Sequence, residues 1–138
     1  MPPAPRSPSS AARVVYAGII ASTLIISVGA LIVSLALGTA TTAAGLPDWV
    51  ALISGSAAFV IGFQQRKRLS RPHGADSAEE WWGENGGRAL LIWGLLELTA
   101  VAGAAVVFAT GHLTAFVGLA VLGLAGLGTL SPGRVQGH

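Results

Sequence analysis

The sequence predicts an all-α fold, a bundle of four transmembrane helices, and three observations predict it. Of 138 residues, 52% are hydrophobic and only 10% charged, with a mean hydropathy of +0.67. Soluble domains carry about 25% charged residues, so this surface is not built for water. The apolar residues fall in blocks close to the roughly 20 residues that cross a bilayer. All eight Lys and Arg fall outside the two connections "GTATTAAG" and "TGH", the asymmetry expected of short cytoplasmic and external loops.

The first span is expected at 14–37, "VVYAGIIASTLIISVGALIVSLAL", a charge-free run. An arginine followed by an apolar run also describes a signal peptide, but a signal core has about 7–15 apolar residues, so an uncleaved anchor is expected. Residues 1–12, with "MPPAPRSPSS" at their start, read as a disordered cytoplasmic tail. The second span is expected at 46–65, opening on Pro47, Asp48 and Trp49; proline suits a first helical turn because its missing N–H has no helical acceptor there. The third is expected at 89–110 and the fourth at 113–130, stopped by Ser131-Pro132-Gly133, with 132–138 as a short tail. Thr110-Gly111-His112 makes a tight turn, so the last two spans should be antiparallel neighbours. Residues 13–131 form a single membrane domain.

Arg6 and Arg13 precede the first span; Arg66, Lys67, Arg68, Arg71 and Arg88 lie between the second and third; Arg134 follows the fourth. Both termini and the central loop 66–87 are therefore expected in the cytoplasm. Within that loop, Arg66, Lys67, Arg68 and Arg71 should meet anionic lipid headgroups. Ser77-Ala78-Glu79-Glu80 matches a capping box, from which a short interfacial helix should run to Gly83, laying Trp81 and Trp82 on the headgroups, before Asn85-Gly86-Gly87 breaks the chain.

Small residues at four-residue spacing allow helices to approach in lipid: Ser54, Ala58 and Gly62 in the second span, Gly18 with Ser22 and Ala30 with Ser34 and Gly38 in the first, and Gly118, Gly123, Gly126 and Gly128 in the fourth. The run "GLAGLG" lacks the strand–turn–helix context and the order of a nucleotide-binding loop.

Glu97 is the one residue that points to a sharper function. Insertion scales charge about 2.5–3.5 kcal/mol for a mid-span ionisable residue, and the ten Leu, Ile, Val and Phe of this span return about 3–6 kcal/mol on the same scale. A carboxyl in a membrane helix faces a bundle interior or a wet cavity. Depth counted to the midplane puts Ser27, Ser54 and Ser56 level with it as hydrogen-bond partners. Glu97 with these serines is accordingly the candidate polar-network, proton or ion site.

Arg88, Trp93, Glu97, Gly103, the Thr110-Gly111 turn and Ser131-Pro132-Gly133-Arg134 give the C-terminal part of the chain a resemblance to small four-helix bacterial membrane proteins without assigned function. A looser similarity is to the rotor-ring c subunits of ATP synthases, which pair a glycine-rich helix with a helix carrying a mid-membrane carboxylate. In those subunits the glycine-rich helix comes first and the turn is cytoplasmic; here both features are reversed.

The expectation is a non-catalytic accessory or assembly component of a bacterial cytoplasmic membrane complex. Compactness and Ala/Gly richness point to the prokaryotic setting. The alternative is a small proton- or cation-coupled carrier or oligomeric pore using Glu97. One carboxyl without a partner acid, base, metal or nucleophile fits no reaction template, and no metal or cofactor is expected. Partners should be the lipid bilayer, with a membrane protein or further copies of the chain. The sequence pI near 9.9 rests on a net charge of only +2, which gives no support to nucleic-acid binding, and the lack of cysteine removes thiolate chemistry.

Overall fold

The structure, a computed structural model, describes residues 7–69 and 77–135. Its regular elements are helices: α1 (Pro8–Ala36), α2 (Leu46–Gln65) ending in a 3₁₀ turn at Arg66–Arg68, α3 (Ala78–Thr110), α4 (Leu113–Thr129) and the single turn α5 (Pro132–Val135). Three of these, α1, α2 and α3, are long and apolar enough to cross a membrane, and α4 is a shorter apolar helix. Ile25, Ile32, Ile53, Val121 and many other large apolar side chains face outward, a surface suited to lipid rather than water.

α3 is the hub, packing against α1, α2 and α4. Ser9 meets Glu79 at one end, and Thr41 meets Gly111 at the other, so α1 and α3 run parallel. α2 and α4 run antiparallel to α3, as Gly55–Thr99 with Gly62–Ile92, and Gly103–Phe116 with Gly123–Leu96, demonstrate. One end of the bundle therefore gathers the basic segments; the other carries the two turns.

α1 starts at Pro8, so residues 8–12, expected in the tail, belong to the helix. Ser7 caps it, accepting from the Ser10 N–H, and Glu79 of α3 reaches across to accept from both the Ser9 N–H (3.0 Å) and its hydroxyl (2.5 Å). Glu79 lies in the extension of α3 beyond the part expected to span, and the Ser9 bonds hold its carboxyl below the usual carboxylate range. A carboxylate at a helix N-terminus satisfies N–H groups that have no helical acceptor.

The largest departure from expectation is α3. The capping box forms, with Ser77 and Glu80 bonding each other's backbone N–H groups, but no separate interfacial helix follows. The helix continues through Asn85-Gly86-Gly87 for 33 residues, about 50 Å at 1.5 Å per residue. Each glycine costs about 1 kcal/mol in a helix interior, and tertiary packing overrides that. Trp81 and Trp82 are 2% and 5% exposed and join Ile92, Trp93, Leu96, Leu127 and Leu130 in one core, while Asn85 bonds the Trp81 carbonyl. Breaking the helix at Asn85 would expose this cluster.

The close contacts in the bundle are made by small residues, on faces partly different from those expected. On α2 the buried stripe is Ala51, Gly55, Ala58 and Gly62, with Ser54 outside it. On α4, a Cβ added at Gly123 would lie 2.8 Å from the Leu96 carbonyl oxygen, whereas Gly118 and Gly128 have open space. Lipid tails are as apolar as leucine, so such backbone approach, rather than hydrophobic burial, drives helix association.

Candidate functional site

The buried stripe of α1 is Thr23, Ser27, Ala30 and Ser34. Ser22 sits one position off it, so it occupies the rim of the α1–α3 contact, half-buried. Glu97 is placed in the same way on α3, between the buried Leu96 and the exposed Leu98. There the Ser22 hydroxyl donates to Glu97 Oε1 at 2.5 Å, and also lies 2.9 Å from the Ile19 carbonyl. Glu97 Oε2 takes no hydrogen bond from the described residues.

The partners expected for Glu97 are elsewhere. Ser54 and Ser56 are exposed on α2, and the Ser54 hydroxyl bonds back to Val50 O and Ala51 O. Ser27 is buried, but its hydroxyl has no hydrogen-bond partner among the described residues. Counting to the midplane selected Ser27; counting from the basic ends of two parallel spans, 14 and 89, gives the 75-residue offset that separates Ser22 from Glu97. That register was available in the sequence once α1 and α3 were read as parallel.

Glu97 lies on the α1–α3 seam between two separate hollows, one toward each end of the bundle. Positions 11, 15, 18, 22, 26, 29 and 33 of α1 share one face by helical spacing, as do 86, 90, 94, 97, 101, 104 and 108 of α3. At the basic end one hollow lies between Ala11, Val15, Trp82, Gly86 and Leu90; at the turn end the other lies between Val33, Leu37, Val107 and Phe108. Gly18 and Gly94, one turn before Ser22 and Glu97, have nothing within 4 Å of a built Cβ. The carboxyl is thus at the part-exposed rim of the α1–α3 contact, rather than in an enclosed interior.

A second polar pair lies at the turn end. Asp48, 1% exposed, accepts from the Gly45 N–H at 2.8 Å and meets His112 Nδ1 at 2.5 Å through the same oxygen, Oδ2. Sequence reading placed Asp48 at the start of the second span and His112 in the tight turn; their contact joins segments 64 residues apart and has no local signature. It ties the start of α2 to the α3–α4 turn, where Thr41 also bridges to Gly111 and Leu113 through backbone bonds.

The remaining expected contacts divide. Arg66, Lys67 and Arg68 are exposed on the 3₁₀ turn, with the Arg68 carbonyl held by Arg88. Arg71 lies outside the described residues. Trp81 and Trp82 do not lie on the surface as headgroup anchors; their rings stack edge-on at 4.9 Å and fill the space between α1, α3 and α4 that a continuous α3 creates. Among the described residues no group of three or more His, Asp and Glu could hold a metal. Comparison with protein-family models, with curated proteins and with solved structures gives no match.

Proposed function

We propose that this chain is a non-catalytic, four-span protein of a bacterial cytoplasmic membrane, both termini inside, working as an accessory or assembly component. The observation that carries this proposal is the placement of Glu97. A carboxyl oxygen without a partner among the described residues, at the rim of the α1–α3 contact and flanked by uncovered glycines, offers a contact surface for another membrane helix. Hydrogen-bonding side chains and small residues are what membrane helices use to associate. The orientation is supported by the gathering of the basic segments at one end of the bundle, and the expected resemblance to small four-helix bacterial membrane proteins is compatible with it.

The rival, a proton- or cation-coupled carrier, predicts something different of the same carboxyl, because an amide keeps its shape but cannot titrate. Purified wild type and Glu97→Gln are to be compared in liposomes for proton flux and for folded yield. The expected result is no flux in either protein, with yield nearly unchanged, since membrane hydrogen bonds average only about 0.6 kcal/mol. Flux in the wild type that vanishes in Glu97→Gln at equal yield replaces the accessory role with transport. Cysteines at Ser70 and Thr41 should label from opposite faces of the membrane, Ser70 from the cytoplasm.

A further inference from the structure

The Asp48–His112 contact joins a buried acid to a group that changes charge near neutral pH. We propose that this pair is a pH-sensitive latch: protonated His112 clamps the start of α2 to the α3–α4 turn, and loss of that proton loosens the clamp.

The geometry isolates one proton. The Asp48 side chain is 1% exposed and the His112 side chain 20%, so the carboxyl is sealed while the imidazole keeps a path to solvent. Asp48 Oδ2 takes the Gly45 N–H and His112 Nδ1, and Oδ1 is buried without a hydrogen bond from the described residues. A carboxylate buried in this way needs a compensating charge. Apart from this pair, α1 from Ala17 onward, α2 after Asp48, α3 after Glu97 and the whole of α4 contain no Asp, Glu, His, Tyr, Lys or Arg. Glu97 itself is an acid, about 20 Å from the end of α3 at 1.5 Å per residue. Among the described residues, His112 is therefore the group that can neutralise Asp48, and only when it carries its proton.

The pair closes an existing stitch. The Thr41 N–H donates to the Gly111 carbonyl at 2.9 Å, the Leu113 N–H to the Thr41 carbonyl at 2.8 Å, and the Thr114 hydroxyl to the Thr42 carbonyl at 3.1 Å. These bonds fasten the α1–α2 connection to the turn that His112 belongs to, and Asp48 holds the same turn from the α2 side. A charge-assisted hydrogen bond is about twice as strong as a neutral one, and imidazole changes charge between about pH 5 and 8. On the acid side of that window the proton is bound and the clamp is tight. As pH rises through the window the carboxylate loses its counter-charge, and the turn end opens more often. On the proposed orientation this end faces outside, which makes external pH the input. The latch itself rests on the contact alone, so measurement in detergent tests it whichever way the chain is oriented.

Amide hydrogen exchange, expressed as protection relative to the intrinsic rate at each pH, reads the opening. Protection at Thr41 and Leu113 should fall at least about fivefold between about pH 5 and about pH 8, while protection at Ile92 and Leu127, toward the other end of the bundle, stays constant. His112→Gln keeps a donor toward Asp48 but cannot take a proton, and Asp48→Asn removes the buried charge. In both variants protection at Thr41 and Leu113 should no longer depend on pH, and because they alter opposite members of the pair, either one suffices. His73→Gln, which removes a histidine outside the described residues, should keep the wild-type dependence. Constant protection at Thr41 and Leu113 in the wild type overturns the latch. So does a pH dependence that survives in either pair variant, or an equal fall at Ile92 and Leu127.

Discussion

The two ends of the bundle are held by different means. At the basic end, side-chain volume dominates. Tyr16 and Trp93 lie 5.0 Å apart between ring centroids, Trp82 and Trp93 5.9 Å, and these rings also complete the end of α4. The Tyr16 hydroxyl donates to the Leu127 carbonyl at 2.6 Å, and the Trp93 indole N–H to Leu130 at 2.8 Å, adding side-chain donors at the C-terminal end of α4, where helical donors run out. At the turn end, backbone geometry dominates. Gly111 adopts φ +75° as the C-cap of α3, and a Cβ there would sit 1.9 Å from the Thr39 carbonyl oxygen. An end held by packed volume should weaken in steps as volume is removed; an end held by backbone contact should fail at once.

The largest effect is therefore expected at Gly111. Gly111→Ala must displace the backbone at Thr39, and folded yield in detergent should collapse. Gly38 sharpens this, since its φ is +64° but nothing lies within 4 Å of its Cβ position. Gly38→Ala should cost only the left-handed strain, about 1–2 kcal/mol, and remain foldable. Equal losses at the two glycines would show that conformation, not contact, controls this end.

Intermediate and graded effects are expected at Trp93. Trp93→Ala removes the centre of the aromatic cluster and should cost about 3–5 kcal/mol. Trp93→Phe keeps most of the volume, loses the bond to Leu130, and should cost about 1–3 kcal/mol, the range for a buried acceptor left without its donor. Thermal unfolding in one detergent ranks the pair; a Phe variant as unstable as the Ala variant would mean that hydrogen bonding, not volume, holds the basic end. The smallest effect is expected at Gly83, which is exposed and uncontacted in α3. Gly83→Ala should stabilise by about 0.5–1 kcal/mol through the backbone entropy of glycine, visible as a small rise in melting temperature.

These two ends also separate what the sequence made legible from what it did not. The apolar cores of the helices, the capping box at Ser77 and the tight turn at Gly111 are local features, and local pattern located them. The continuity of α3 through Asn85-Gly86-Gly87 was not legible, because three poor helix formers point to a break and only the packed rings of Trp81 and Trp82 outweigh them. Glu97 was legible as a residue out of place in its span. Its neighbour was missed because midplane counting selects Ser27, whereas counting the two parallel spans from their basic ends selects Ser22. Asp48–His112 required the fold itself, which brings the start of α2 to the turn after α3.

The four main helices differ widely in length, and the surrounding bilayer must respond to that. α3, at 33 residues, exceeds a hydrocarbon core of about 30 Å, while α4, at 17 residues, spans only about 25 Å. On the proposed four-span arrangement, lipids beside α4 would thin, or the bundle would tilt, at a fraction of a kcal/mol per ångström of mismatch. On that arrangement the protein would be asymmetric in the plane of the membrane as well as across it, with the bilayer thinner beside α4 than beside α3.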